Sequence, residues 1–499
     1  MKVILLALQL LCHGAWKYWC FFLLTMVFAT AAVHGKDFSL QGDAFFKCGS
    51  HLESKIWLLW DSKVKPDLRA DLVERRLKSM GDTVALYDMQ SYLSNLASMA
   101  NRCNRSQRLK ELNAFVRAMF PDDRHERRLS GASWICRSGP ACAEGSYLHN
   151  KEVLLHSVQF LGLLSTLAVY SSDFEDAESV EFVEDVFKLS INHLLMWAKA
   201  SRTSDDFSFA RKGDFSRSTL FTDKPLWMLV IYVRVAALLE KRPQLESLIS
   251  DKNGSLRLLA AHSASLAEFM EKRITFSGGM AVDGFKERMA ELDGGYWSKF
   301  SDNRYAGYRA SLKPVLCIGG QPETIVPYRD EFIVPDLGWD FSHARRLVHA
   351  ADAFFQNGEA AKRILGLKSL PGEDFFKGFS KRVVQVVWNQ SLAYPLFTNY
   401  LSGANGWYRA GYSPSKGQCS EGFEPYGLSF SFADGGYAAF GRFEPKLKEI
   451  GRKIFFIMQN QSQESDSAFV ARYYPAFHRT AKDEKRARAQ IMFWPTLVD

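Results

Sequence analysis

Asp67-Leu-Arg-Ala-Asp-Leu-Val-Glu-Arg-Arg-Leu-Lys-Ser-Met-Gly-Asp-Thr-Val-Ala-Leu-Tyr-Asp-Met-Gln-Ser-Tyr-Leu-Ser-Asn-Leu-Ala-Ser98 is the stretch that decides the fold class. Its apolar residues Leu68, Leu72, Leu77, Met80, Val84, Leu86, Met89, Leu93 and Leu96 fall at helical spacing, with charged residues between them. That pattern predicts amphipathic helix, not strand.

The same periodicity recurs outward from this stretch. It covers Leu109 to Phe120, Leu148 to Tyr170, Val180 to Ala200, Pro225 to Lys241 and Leu245 to Arg273. Further on it covers Phe341 to Gln356, Phe375 to Trp388 and Lys446 to Met458. Pro225 follows Asp223 at a helix start, where its missing N–H costs nothing. Lys272 to Val282 and Thr324 to Val334 read as short hairpins or extended loops. Strands and helices do not alternate, which argues against a parallel α/β fold. No repeat or Ser/Pro-rich linker divides the chain. The expected fold is mainly all-α: one domain of paired helices over residues 36–499. Closing the pairs into a ring gives an α/α toroid; stacking them openly gives a solenoid. The Gly- and aromatic-rich loops at 276–340 and 402–441 favour the toroid, because loops of that length in compact domains usually carry function.

The first 35 residues read as a signal peptide. Lys2 precedes an apolar run, Val3 to Leu11, and Lys17 precedes a second, Cys20 to Val33. Neither reaches the roughly 18 residues of a spanning helix. The second ends in Ala29-Thr-Ala-Ala32, which suits cleavage after Ala31 or Gly35. The mature chain is expected to be secreted or periplasmic, without stable membrane insertion. Its net charge drops from +8 to about +6, because Lys2 and Lys17 leave with no acid. The densest basic patch, Arg124-His-Glu-Arg-Arg128, is too short for a nucleic-acid arm. Six cysteines remain after cleavage: Cys48, Cys103, Cys136, Cys142, Cys317 and Cys419. An even number in an exported chain permits disulfides, and Cys136 with Cys142 brackets a turn-forming segment. Metal ligands and cofactors are not expected: no CxxC pair, HExxH helix, P-loop, GxSxG elbow or dinucleotide GxGxxG is present.

Five segments concentrate polar, titratable and aromatic residues. In Asp336-Leu-Gly-Trp-Asp-Phe-Ser-His-Ala-Arg-Arg346, Asp340 or Ser342 caps a helix, and His343 and Arg346 are surface neighbours three apart. Guanidiniums beside His343 favour its neutral form, which can act as a base; the alternative is a capped helix with a hydrogen-bonded His. In Gly294 to Tyr308, Trp297, Arg304, Tyr305 and Tyr308 suit the flat face of a sugar. A tyrosine near an Arg there is expected to have a lowered pKa and carry protons; the alternative is a loop pinned by buried aromatics. Tyr147-Leu-His149-Asn150 opens a helix and can face a cleft, or simply pack. Asp223, Lys224 and Trp227 read mainly as another helix cap. Trp407, Tyr408, Glu421 and Glu424 lie in a further aromatic and acidic loop. Either glutamate can pair with Asp340 or Asp293 as acid and base, or be a solvated surface acid.

This order of parts resembles the alginate-lyase type of exported polysaccharide lyase. The resemblance rests on the signal peptide, the paired helices, Tyr147-Leu-His-Asn150 and the His/Arg and Tyr/Arg clusters. The Asn-Asn-His motif of those enzymes is absent, and His149-Asn150 has the reverse order. The segment Trp339 to Arg346 also looks like one found in uncharacterised exported bacterial proteins. The lyase resemblance implies an α/α toroid that cleaves an acidic polysaccharide by β-elimination. In that scheme Arg346 and Asn150 neutralise the substrate carboxylate, His343 or Tyr305 takes the proton, and Tyr308 protonates the leaving oxygen. Two alternatives stand beside it. One is a glycoside hydrolase using Asp340 with Glu421 or Glu424, and the other is an exported glycan-binding or scaffold protein without turnover.

Overall fold

The computed structural model describes residues 43–121, 133–203, 220–282, 285–413 and 419–499. The expected leader, residues 1–35, and the basic patch at 124–128 lie outside them. The chain is mostly helical. Residues 43–55 with Val498–Asp499 form one small unit, in which Cys48 N donates to Asp499 O and Asp499 N to Phe46 O, both at 2.8 Å. The second unit is Ile56–Leu497.

The stretch quoted above is helical but interrupted. Arg69–Ser79 runs in wide π-helical turns that bury Leu72 and Val73. Gly81 then takes φ +70°, and a Cβ there would meet Arg137 Cβ at 2.8 Å. Asp82 Oδ1 accepts from Val84 N at 3.0 Å and opens the next helix. Left-handed backbone with no room for a side chain makes glycine the residue that fits, so the helix stops where the apolar periodicity alone reads through.

The principal helices are α1 (Val84–Arg102), α2 (Ser106–Arg117), α3 (Leu154–Tyr170), α4 (Ala177–Thr203), α5 (Asp223–Lys241) and α6 (Lys252–Arg273). They continue with α7 (Arg346–Leu365), α8 (Glu373–Arg382), α9 (Pro445–Gln459), α10 (Glu464–Tyr473) and α11 (Asp483–Phe493). Three antiparallel pairs interrupt them: β1 (Ile135–Cys136) with β2 (Lys151–Glu152), β3 (Ile274–Val282) with β4 (Phe285–Leu292), and β5 (Val315–Ile318) with β6 (Gln321–Thr324).

Side-chain contacts fix how the helices run. Between α1 and α3, the start Thr83 meets His156 at 2.9 Å and the end Ser98 meets Tyr170 at 3.4 Å. Between α3 and α5, Gly162 lies against the Trp227 ring, and Arg234 stands 5.4 Å over the Tyr170 ring. Between α5 and α7, Trp227 stacks on His349 at 6.0 Å and Arg234 donates to Gln356 at 3.2 Å. Between α1 and α11, Arg488 stands 5.6 Å over Tyr92, and Asn95 donates to Met492 O at 2.7 Å. Each pair of contacts advances in the same sense along both helices. Helices α11, α1, α3, α5 and α7 therefore lie parallel in a row, with their N-terminal ends together. A second layer covers them: α2 packs on α1 and α3, α4 on α3 and α5, and α6 on α5 and α7. Being flanked on several sides explains why α3 and α5 are apolar almost all round.

The structure moves several expected boundaries. The helix read from Leu148 begins at Leu154, because Lys151–Glu152 pairs with Ile135–Cys136 instead. The helix read from Leu245 breaks: Pro243–Leu248 is a 3-10 turn, and Asp251, at φ 44°, caps α6 through Gly254 N. Of the segment 324–334 only Thr324 belongs to a hairpin, as the last residue of β6; the rest is a loop with a 3-10 turn at Asp330–Phe332. Helices α10 and α11 carry weak periodicity and were not expected.

All six cysteines after residue 35 are disulfide-bonded. Cys136 bonds Cys142, as their spacing suggests, and Cys317 bonds Cys419 with Cα atoms 5.7 Å apart. Among the described residues no helix is long and apolar enough to cross a membrane.

Candidate functional site

The shared N-terminal end of the helix row carries a cleft of about 180 Å³. Leu155 of α3, Thr222, Asp223 and Lys224 at the start of α5, and His343 just before α7 contribute to its lining. Two loops complete it: Trp297 to Asn303, and Tyr408 with Arg409.

Backbone bonds lock these loops together. Trp297 N donates to Leu337 O at 3.0 Å, Phe341 N to Asn399 O at 2.8 Å, and Arg409 N to Asp302 O at 2.9 Å. Asn399, fully buried, donates to Gly406 O at 2.8 Å and Glu424 O at 2.9 Å, and accepts from Leu428 N at 2.9 Å. Asp293 joins two walls. Its Oδ2 accepts from Phe221 N at 2.9 Å and from Trp297 Nε1 at 3.0 Å. Burial pushes this carboxyl up to about 7, against the pull of Arg273.

The chemical centre is His343 with Asp340. Asp340 caps the turn Phe341–Ala344: its Oδ1 accepts from Ser342 N and His343 N, both at 3.0 Å. Its Oδ2 lies 2.6 Å from His343 Nδ1. Burial would raise the Asp340 carboxyl, but the His343 imidazole, the Ser342 hydroxyl and the Arg409 guanidinium outweigh it. Together they hold it well below the usual carboxylate range. An ionised carboxylate at Nδ1 assigns the proton of a neutral imidazole to that nitrogen. Nε2 is then an acceptor, and no described residue bonds it. The Tyr408 hydroxyl lies 3.3 Å from Nδ1, and burial pushes its phenol well above the ordinary value.

Arg409 is the cation of the cleft. Its Nε donates to Asp302 Oδ2 at 2.9 Å, and its guanidinium lies 4.5 Å over Tyr412. Burial works against its charge, but Tyr408, Asp340 and Asp302 outweigh burial and keep it charged. Its two terminal nitrogens have no partner among the described residues. Lys224, exposed at the cleft, likewise forms no ion pair among them.

Of the expected site residues, Trp297, Trp339, Asp340, His343 and Tyr408 line this cleft. Arg346 stands behind it, donating to Ser342 O at 2.9 Å and to the Tyr87 hydroxyl, with Asp223 at 3.7 Å. Tyr305 and Trp407 belong to a buried cluster with Val315 and Phe332, against which Tyr308 packs. The Tyr305 hydroxyl donates to Val326 O at 2.8 Å, and burial raises its pKa despite Arg304, opposite to the lowered value expected. Arg304 is exposed outside the lining. Tyr147 is exposed, His149 Nδ1 lies 3.1 Å from Cys142 O, and Asn150 sits exposed at φ 56°. Glu421 binds Lys313 at 2.5 Å, and Glu424 holds Arg472 at 2.9 and 3.0 Å. Neither glutamate lines the cleft that holds Asp340.

Arg409, Asp302, Asn303 and Lys224 escaped the sequence reading as site residues. Arg409 follows Trp407 and Tyr408, and its signal is an arginine flanked by Tyr408 and Tyr412 in a glycine-rich loop. Asp302 carries no comparable local signal.

At the edge of this region burial lowers His156 to about 4. A depressed histidine contributes stability that is present above its unfolded value near 6.5 and lost as pH falls toward 4. We therefore expect His156→Gln to unfold at lower urea than the wild type at pH 7.5. The gap should narrow as pH falls from 6.5 to 4, and a gap constant with pH would refute the assignment.

No family model, curated protein or solved structure matches the chain.

Proposed function

We propose that this protein is an exported polysaccharide lyase that cleaves a uronate-containing polysaccharide by β-elimination on an α/α toroid. The six disulfide-bonded cysteines support export. Support for the ring comes from the row of parallel helices. Tyr437–Arg442 packs on α7, and Ser431–Asp434 packs on α11, which returns to α1. In such a ring the inner helix N-termini share one end, where partial positive charge favours an anionic ligand.

One observation carries the chemistry: His343, oriented by Asp340, shares a cleft with the open nitrogens of Arg409. Arg409, with Lys224, neutralises the uronate carboxylate and acidifies the adjacent C–H. His343 Nε2 takes that proton as general base. The Tyr408 hydroxyl, kept protonated by burial, serves the leaving oxygen. Charge stabilisation of the developing enolate is the dominant contribution. Trp297 and Trp339, both buried, form part of the cleft wall. Hydrolysis by paired carboxylates has less support, because Asp223, Asp302 and Asp340 are each engaged by a cation or imidazole.

The test is absorbance of unsaturated sugar in the near ultraviolet over a panel of polyuronates. Arg409→Lys keeps the charge but loses the planar fork, and should lower kcat/KM by about 100-fold. Reducing ends released without absorbance would replace elimination by hydrolysis. No product from any polyuronate would leave binding without turnover.

A further inference from the structure

A second cleft, about 360 Å³ in volume, opens where Tyr92 of α1, Asp434 and one face of α11, from Lys482 just before it to Met492, meet. Lys482 and Lys485 line it; both are exposed, and neither forms an ion pair among the described residues. They flank the start of α11, whose first backbone N–H groups receive no side-chain cap. Asp483 and Glu484 in the first turn complement the dipole of α11, but Asp483 is held by Arg486 and Lys63, so Lys482 and Lys485 are the cations this cleft leaves for an anion. Arg488, also in the lining, is already spent on Asp67 at 2.6 and 2.9 Å and on Asp71 at 2.9 Å. Glu484 stands at the rim.

The second observation is independent of the lysines. Asp434 Oδ1 is buried and has no hydrogen-bond partner among the described residues. A buried unpaired carboxylate oxygen is costly, and a donor from a ligand removes the cost. Burial pushes this carboxyl up to about 6, against Arg345 and Lys485. The cleft thus offers cations for an acid group and a buried acceptor for a hydroxyl, as a sugar acid requires.

Its position ties it to the first cleft. Its lysine-bearing end, at the start of α11, is at the same end of the parallel row as the first cleft. A Cβ on Gly435, next to Asp434, would lie 2.5 Å from Arg345 Cβ, and Arg345 is two residues from His343. We infer that this second cleft is a remote subsite: it binds an anionic sugar unit of the same polymer, with Lys482 and Lys485 on its carboxylate and Asp434 on a hydroxyl. The inference rests on the proposed acidic polysaccharide for its ligand.

The experiment is calorimetric titration of the full chain with a hexauronate, comparing wild type, Lys482→Ala/Lys485→Ala, Asp434→Asn and Asp434→Ala. Two exposed contacts together predict about tenfold weaker binding for the double variant at low salt. Both lysines are exposed, so an unchanged melting temperature is expected and excludes misfolding. Asp434→Asn keeps an acceptor and should bind more tightly than Asp434→Ala. Equal hexauronate affinity in wild type and the double lysine variant overturns the subsite. Lysine-dependent binding of a hexauronate that is never cleaved keeps the subsite and defeats the elimination reading. Cleavage with no lysine dependence of binding does the reverse.

Discussion

His343→Ala should abolish the near-ultraviolet signal on a responsive polyuronate, with kcat falling about 1,000-fold, as expected when a general base is removed. The side chain is 22 % exposed and, among the described residues, is anchored through Asp340 and Tyr408, so the fold should tolerate its loss. Asp340→Asn tests the pair from the other side. It keeps an oxygen for the Ser342 and His343 amides, but it can present an amide N–H to Nδ1 and so place the imidazole proton on Nε2. Its kcat should fall by a similar order while KM holds, since the tautomer is then wrong for a base. A His343→Ala enzyme with wild-type kcat would remove His343 from the chemistry. An Asp340→Asn variant with raised KM and intact kcat would make the carboxylate a purely structural cap.

Gly406→Ala should be the most damaging small substitution near the site. A Cβ there would lie 2.2 Å from Ala306 O and 2.4 Å from Tyr305 O, both backbone atoms that cannot rotate away. The two loops that carry Arg409 and Asp302 press together at this point. Overpacking of this kind costs about 3 kcal/mol, read as a lower urea midpoint. Because the Arg409–Asp302 contact spans the same seam, activity should fall further than stability alone accounts for. Gly372 is the control: nothing lies within 4 Å of its Cβ position, so Gly372→Ala should stay within about 0.5 kcal/mol of wild type. Equal midpoints for the two variants would show that the loops separate without cost.

Much of the helical framework was legible from periodicity. An amphipathic or fully buried helix writes its neighbours into local spacing, as α1, α5 and α9 do. Helix α11 was not legible, because its charged face dominates the sequence Asp483-Glu-Lys-Arg-Ala-Arg, and its apolar residues crowd into Ile491, Met492 and Phe493. The start of α3 was misplaced because Lys151 and Glu152 suit a helix locally, yet pair with Cys136 and Ile135. That pairing depends on a segment 15 or more residues away, which no window of helical length contains.

The sequence by itself determined the helical class, a helix cap at Asp340 or Ser342, and the concentration of aromatic and titratable residues in a few short segments. These are local properties, set by spacing, side-chain shape and short-range hydrogen bonding. The tertiary structure alone decided which of those residues meet. It placed Tyr408 beside His343 across 65 residues and Arg409 on Asp302 across 107. It also moved Tyr305, Tyr308 and Trp407 into a supporting cluster and put Arg346 behind the cleft. The physical reason is that a side chain's chemical partners are fixed by the packing of distant segments. Arg346 and Arg409 carry the same charge, and only burial against Tyr87 and Asp223 distinguishes the structural cation from the one left open to a ligand.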